Sequence, residues 1–160
     1  MPVATFRILC EKMSPFVAKA LGSPTITSLE VGKLSMLLRF QPTFIGNPVM
    51  PCLHGGVAAA IIDHCGGFCA WTTLDDSNYL VSTVSLSLDY LTPAPAADML
   101  CDAVVNHKSK TLIRTDITCW NKDRTVKLAV GHGTYNIYKV KVVWCVVVCG
   151  VALGGSPLLS

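Results

Sequence analysis

The sequence predicts an α+β fold: a curved antiparallel sheet wrapped around one long central helix. Three observations predict it. Residues 54–71 form an almost wholly apolar run with a single carboxylate, Asp63. Three or four stretches then follow, to about Tyr138, in which side chains alternate with the period of two that strands impose. With 160 residues, 51% hydrophobic and only 14% charged, the chain can bury the core of one ordinary domain, and disorder is excluded. One apolar helix ahead of a run of strands is an α+β arrangement. So apolar a composition also suggests a subunit that hides further surface in an oligomer.

Three regions follow along the chain: a helical segment (1–25), the main domain (26–139) and an apolar tail (140–160). Residues 3–21 read as a short amphipathic helix with Phe6, Leu9, Cys10, Met13, Phe16 and Val17 on one side. It can dock on the fold or on a dimer partner. Ser28–Phe40 reads as a strand, and 41–53, with Pro42, Pro48, Pro51 and Gly46-Asn47, as a loop. The helix follows, closed by Asp75-Asp76-Ser77-Asn78. Val84, Leu86, Leu88 and Tyr90 then alternate with Thr83, Ser85, Ser87 and Asp89. Residues 98–106 resume extended structure, and 107–110 form a basic hairpin turn. In residues 111–120, Ile113, Thr115, Ile117 and Cys119 alternate with Leu112, Arg114, Asp116 and Thr118, and 126–138 form the last strand. The tail has neither period. It reads as a buried or edge strand, as an appendage, or as a membrane contact, being shorter than the roughly 20 apolar residues of a span.

A net charge of +3 without a Lys/Arg-rich run excludes a nucleic-acid partner. The eight cysteines include no Cys-x-x-Cys pair and sit mostly in apolar runs. They read as buried thiols of a reducing compartment, and no metal site is expected. The absence of a basic start followed by an apolar core and cleavage site points to a cytoplasmic protein. Arg7, Lys12 and Lys19 keep a mitochondrial location as the alternative.

Asp63 is the chemically informative residue. Its helical neighbours are Ala59, Ala60, Gly66 and Gly67, all small. Such a stripe lets another backbone or a slim ligand approach. Buried without a partner, the carboxylate would cost several kcal/mol, so something must compensate it.

Gly46-Asn47-Pro48, Leu53-His54-Gly55-Gly56, Asp63, Val81-Ser82-Thr83 and Asp89-Tyr90-Leu91-Thr92-Pro93-Ala94 together resemble the PaaI-type hotdog-fold thioesterases over about residues 26–138. The specific part is an Asp nine residues after the His, followed by the Asp-Tyr-Leu-x-Pro-Ala strand end. The resemblance implies a hotdog fold and a homodimer, or a dimer of dimers, with active sites at the interface. It also implies hydrolysis of an acyl-CoA without cofactor. In it Gly55 donates its backbone N–H to the thioester carbonyl, Asp63 activates water or attacks directly, and Thr83 orients the water. Asn47, His54 and Gly56 contact substrate. Structural roles stand beside these: His54 as a cap, Asn47 as a turn residue, Thr83 as a strand former. His64, His107 and His132 read as structural or surface residues.

The physical case is separate. A helix N-terminus offers unpaired N–H groups and a positive dipole end, where an oxyanion gains about 3–4 kcal/mol. Glycine lets a carbonyl approach closely. Asp63 lies two turns further on, roughly 10 Å away, so a site would combine Gly55 of one subunit with Asp63 of another. The rivals are an acyl-CoA-binding hotdog protein without turnover and a dehydratase or hydratase, whose usual motifs are absent.

Overall fold

A helix that is apolar on every side must be surrounded, and the sheet does most of the surrounding. The computed structural model describes residues 14–75 and 78–139; the expectations for residues 1–13 and for the tail lie outside them. The elements are α1 (Pro15–Leu21), β1 (Thr25–Glu30), β2 (Lys33–Leu38), a 3-10 turn (Pro42–Phe44), β3 (Ile45–Asn47), β4 (Cys52–Leu53), α2 (Gly55–Trp71), β5 (Tyr79–Tyr90), β6 (Met99–Lys108), β7 (Leu112–Asn121) and β8 (Lys127–Lys139). Six strands form one sheet in the order β1-β2-β6-β7-β8-β5, antiparallel at every pairing. α2 leads from the small β3–β4 ribbon to β5 at the far edge, and the sheet curls around it. This is the α+β hotdog arrangement.

The core lies between α2 and the concave face. Ile61, Ile62, Cys65 and Cys69 of the helix are fully buried against Met36 of β2, Met99 and Cys101 of β6, and Ile117 and Cys119 of β7. Each large apolar side chain buried there stabilises the fold by about 1.5–3 kcal/mol. The alternation in β7 is as the sequence predicts: Ile113, Thr115, Ile117 and Cys119 point inward. The five described cysteines are free thiols. Cys65 and Cys69 donate to carbonyls of the sheet, Cys69 to Ala103 at 3.3 Å, and burial pushes the Cys69 thiol up to about 12.

Two stretches differ from expectation. The single strand read over 28–40 is a hairpin of β1 and β2, turned at Val31-Gly32, where Gly32 takes φ +74°. That left-handed conformation is easy for glycine alone. The loop over 41–53 holds the 3-10 turn and the β3–β4 ribbon, which fix the entry to α2: His54 N–H donates to the Phe44 carbonyl at 2.8 Å and Leu53 N–H to that of Ala94 at 2.9 Å. At its other end α2 stops at Trp71, where the Thr72 and Thr73 hydroxyls donate back to the Cys69 and Ala70 carbonyls. No described helix is long and apolar enough to cross a membrane.

Candidate active site

The N-terminus of α2 is capped by His54, whose backbone is extended (φ −62°, ψ 134°). Its Nδ1 accepts from the Gly56 N–H at 2.9 Å, so its ring proton sits on Nε2. The Gly55 N–H, first of the helix, has no acceptor among the described residues. The Tyr90 hydroxyl donates to the Gly55 carbonyl at 3.0 Å, and a Cβ at Gly55 would meet the Tyr90 ring at 3.3 Å. Glycine therefore keeps this end of the helix open. Beside it lies a cavity of about 310 Å³ bordered by His54, Gly55, Ala58, Tyr90, Pro93 and Leu128.

Asp63 is half-buried on the same helix, and its Oδ1 accepts from the Thr83 hydroxyl at 2.8 Å. Its Oδ2 has no protein partner among the described residues. The contact with Thr83 depends on an irregularity in β5. Strict alternation would place Thr83 with Ser85 and Ser87, away from Leu86 and Leu88. The ladder to β8 shifts between Thr83 and Ser85, and this bulge turns Thr83 to the helix side, where Leu86 and Leu88 also pack. A second cavity, about 280 Å³, is bordered by Asp63, His64, Phe68, Trp71, Leu80 and Thr83, among others. No described residue borders both cavities.

Part of the small-residue stripe serves the chain itself. A Cβ on Gly66 would run into the Tyr135 hydroxyl and stand 2.9 Å from Thr115 Oγ1, and one on Gly67 would lie 3.3 Å from the Tyr135 ring. Tyr135, buried on β8, fills that clearance, and its hydroxyl donates to the Asp63 carbonyl at 3.3 Å. Burial, with the Asp63 charge beside it, raises its pKa, so it stays a neutral donor. The stripe's close approach is thus made by a tyrosine of the same subunit at Gly66 and Gly67.

His54, Gly55 and Gly56 gather at one site, and Asp63 with Thr83 at the other. Asn47 joins neither: its Oδ1 accepts from the Val49 N–H at 2.9 Å within its own turn, and it borders neither cavity. Residues the sequence reading did not assign to the site are Tyr90, Tyr135 and His64. Tyr90 stood in the quoted motif, and its reach to Gly55 was the missing step. Tyr135 lay within a strand and gave no separate signal. His64 follows Asp63, and its ring lies edge-to-face with Phe68 at 4.6 Å. Burial lowers its pKa to about 4. Chemically, the chain offers an open N–H at a helix start and, elsewhere, a carboxylate with one oxygen fixed by a hydroxyl and the other unclaimed.

The sequence model of the Thioesterase superfamily matches residues 50–127, a range that holds Gly55, Asp63 and Thr83 but not Asn47. A Halobacterium salinarum protein named as an esterase is 30% identical over an alignment of 93 positions that covers 54% of this chain and 61% of that protein. The chain thus spans about three-fifths of that curated relative. Among solved structures, a phenylacetic acid degradation-related protein of Ralstonia eutropha JMP134, named as a thioesterase, superposes with a TM-score of 0.68 at 24% identity. The match covers 76% of this chain and 89% of that one. A Streptococcus mutans UA159 protein bound to acetyl CoA superposes with a TM-score of 0.65 at 19% identity, over 74% and 91%. At these identities the structures attest the fold. That fold is the hotdog fold, and within it residues 50–127 of this chain are similar to the Thioesterase superfamily.

Proposed function

We propose that the protein is an acyl-CoA thioesterase of the PaaI type, acting as a homodimer or a dimer of dimers. Asp63 accepts a proton from water, which attacks the thioester carbonyl. The Gly55 N–H of the partner subunit receives the oxyanion at the positive end of its helix. Collapse of the tetrahedral intermediate breaks the carbon–sulfur bond, the leaving thiolate takes up the proton that Asp63 accepted, and the acid and the CoA thiol are released. Thr83 holds the carboxylate so that Oδ2 meets the water, and His54 and Gly56 keep the helix start in shape beside the substrate. Asn47 contributes through its turn.

The observation that carries this reading is the Thr83–Asp63 hydrogen bond at 2.8 Å beside a cavity that Gly55 of the same chain does not border. A carboxylate fixed by one oxygen is prepared for base chemistry at the other. Two-subunit sites also find support in β5, which carries Thr83 on the strand that ends the sheet among the described residues and exposes Val84 by 60%. A second copy pairing there would lie next to Asp63. The acetyl CoA held by the S. mutans neighbour supports the choice of thioester carrier.

The test uses purified protein, a panel of acyl-CoAs and a thiol-trapping dye. Wild type releases CoA thiol, and Asp63→Asn loses turnover by about 100-fold or more while melting at an unchanged temperature. Undiminished hydrolysis by Asp63→Asn removes Asp63 from the chemistry. Tight binding of acyl-CoA by wild type without thiol release selects a binding protein instead.

A further inference from the structure

Gly55 lies between two peptide planes, and the two are held differently. The plane before it carries the Gly55 N–H, and the carbonyl of that plane, from His54, accepts from the Val57 N–H at 2.9 Å. The plane after it joins the Gly55 carbonyl and the Gly56 N–H in one rigid unit. The Tyr90 hydroxyl holds that oxygen at 3.0 Å, and His54 Nδ1 holds that N–H at 2.9 Å. Two consecutive glycines leave the backbone its widest choice of φ and ψ, so the peptide between them turns easily unless it is held. The helix does not need the hydroxyl to satisfy this carbonyl. In an α-helix a carbonyl accepts from the N–H four residues on, and the tyrosine takes the second lone pair. Tyr90 itself is anchored. It ends β5 opposite Ala129, and the N–H groups of Leu91 and Thr92 both donate to the Leu128 carbonyl, at 2.9 and 3.2 Å.

Resting on the thioesterase reading, we infer that Tyr90 is a positioning residue for hydrolysis: its hydroxyl and the His54 cap together clamp the Gly55–Gly56 peptide and so aim the Gly55 N–H at the thioester oxygen. A donor stabilises a forming oxyanion only when it points to where the charge develops. A neutral thioester carbonyl asks less of that aim. Loss of the clamp therefore weakens the transition state more than it weakens substrate binding. The His54 half of the clamp is exposed and competes with water, so alone it leaves the peptide partly free. The same strand that carries Tyr90 carries Thr83. Thr83 fixes the Asp63 carboxylate of its own chain, and Tyr90 fixes the Gly55 peptide of its own chain. One strand thus steadies both reacting groups of one helix, each for a different site of the dimer.

The experiment uses Tyr90→Phe, which keeps the ring beside Gly55 and removes only the hydroxyl. Wild type and variant are compared on one acyl-CoA by thiol release. The variant's kcat should fall about tenfold while KM stays within about threefold, with the melting temperature unchanged. Subunit mixing adds a readout that a merely structural role would not move. Tyr90 acts through Gly55 of its own chain, so its defect should travel with Gly55. Co-refolded in equal amounts with Asp63→Asn, Tyr90→Phe should return about a quarter of wild-type activity, whereas with Gly55→Pro it should stay at about a twentieth. An unchanged kcat in Tyr90→Phe, a loss confined to KM, or equal recovery with both partners overturns the role of Tyr90 while thioester hydrolysis stands. Absence of thiol release by wild type rejects the hydrolase and, with it, the role of Tyr90.

Discussion

Acidification should destabilise this fold through His64, and replacing that one ring should remove the effect. In the folded chain burial lowers the His64 pKa from its ordinary 6.5 to about 4. The unfolded chain therefore takes up the proton first as pH falls. Folded stability is undiminished above pH 6.5 and is lost progressively as pH drops from about 6.5 towards about 4. Each pH unit in that window is worth at most 1.36 kcal/mol, which gives a ceiling of about 3 kcal/mol over the whole shift. The ring is half-buried, so residual solvation reduces the expected loss at pH 4.5 to about 1–2 kcal/mol. Among the residues bordering the cavity, Asp63, Tyr135 and Tyr138 are the titratable neighbours, and desolvation is the cause of the shift. Urea denaturation of wild type and His64→Phe near pH 7 and near pH 4.5, at one protein concentration, isolates the effect. His54, His107 and His132 are common to both proteins and cancel in the difference. Asp116 is held below its ordinary range by a hydrogen bond from Asn106 and by the His132 contact, so its loss falls at lower pH and also cancels. Wild type should lose about 1–2 kcal/mol more than the variant. Equal losses in the two proteins refute the argument.

Two further substitutions probe the contacts around Asp63. Gly66→Ala puts a methyl group against Tyr135 and Thr115 in the core and should cost about 1–3 kcal/mol by overpacking, read as a lower midpoint in urea. Thr83→Val removes the hydroxyl from Asp63, a charge-assisted bond worth about 1.5–3 kcal/mol. Turnover of a good acyl-CoA substrate should fall about 10- to 100-fold, and Thr83→Ser should retain most of it.

The helix and four strands of the sheet were legible because each pattern has one physical source. An 18-residue apolar run bearing a lone carboxylate cannot stand in water, and the inward side chains of β7 follow the pleat without interruption. What escaped depends on geometry that alternation does not encode. Val31-Gly32 is a weak turn signal within a strand-like run, so one strand was read where a hairpin exists. The bulge between Thr83 and Ser85 changes which side Thr83 faces, and its position has no signature in the residues around it. The small-residue stripe announced a close approach without saying by what. At Gly66 and Gly67 the neighbour is Tyr135, distant in sequence and brought there by β8. His64 looked like a structural residue because a histidine in an apolar helix usually is one, and only the cavity shows it beside Asp63.

The central claim is that Gly55 and Asp63 of one helix serve two different active sites, and subunit mixing tests it most directly. Gly55→Pro removes the N–H at the first helical position, where the backbone tolerates proline after the extended His54, and its Cβ makes a tight contact with the Tyr90 ring. Asp63→Asn removes the base. Each variant alone should be inactive, while co-refolding them in equal amounts forms mixed dimers with one intact site each. Random pairing of two-fold dimers then returns roughly a quarter of wild-type activity. A mixture as inactive as its two components would contradict the account and return both groups to a single chain's site.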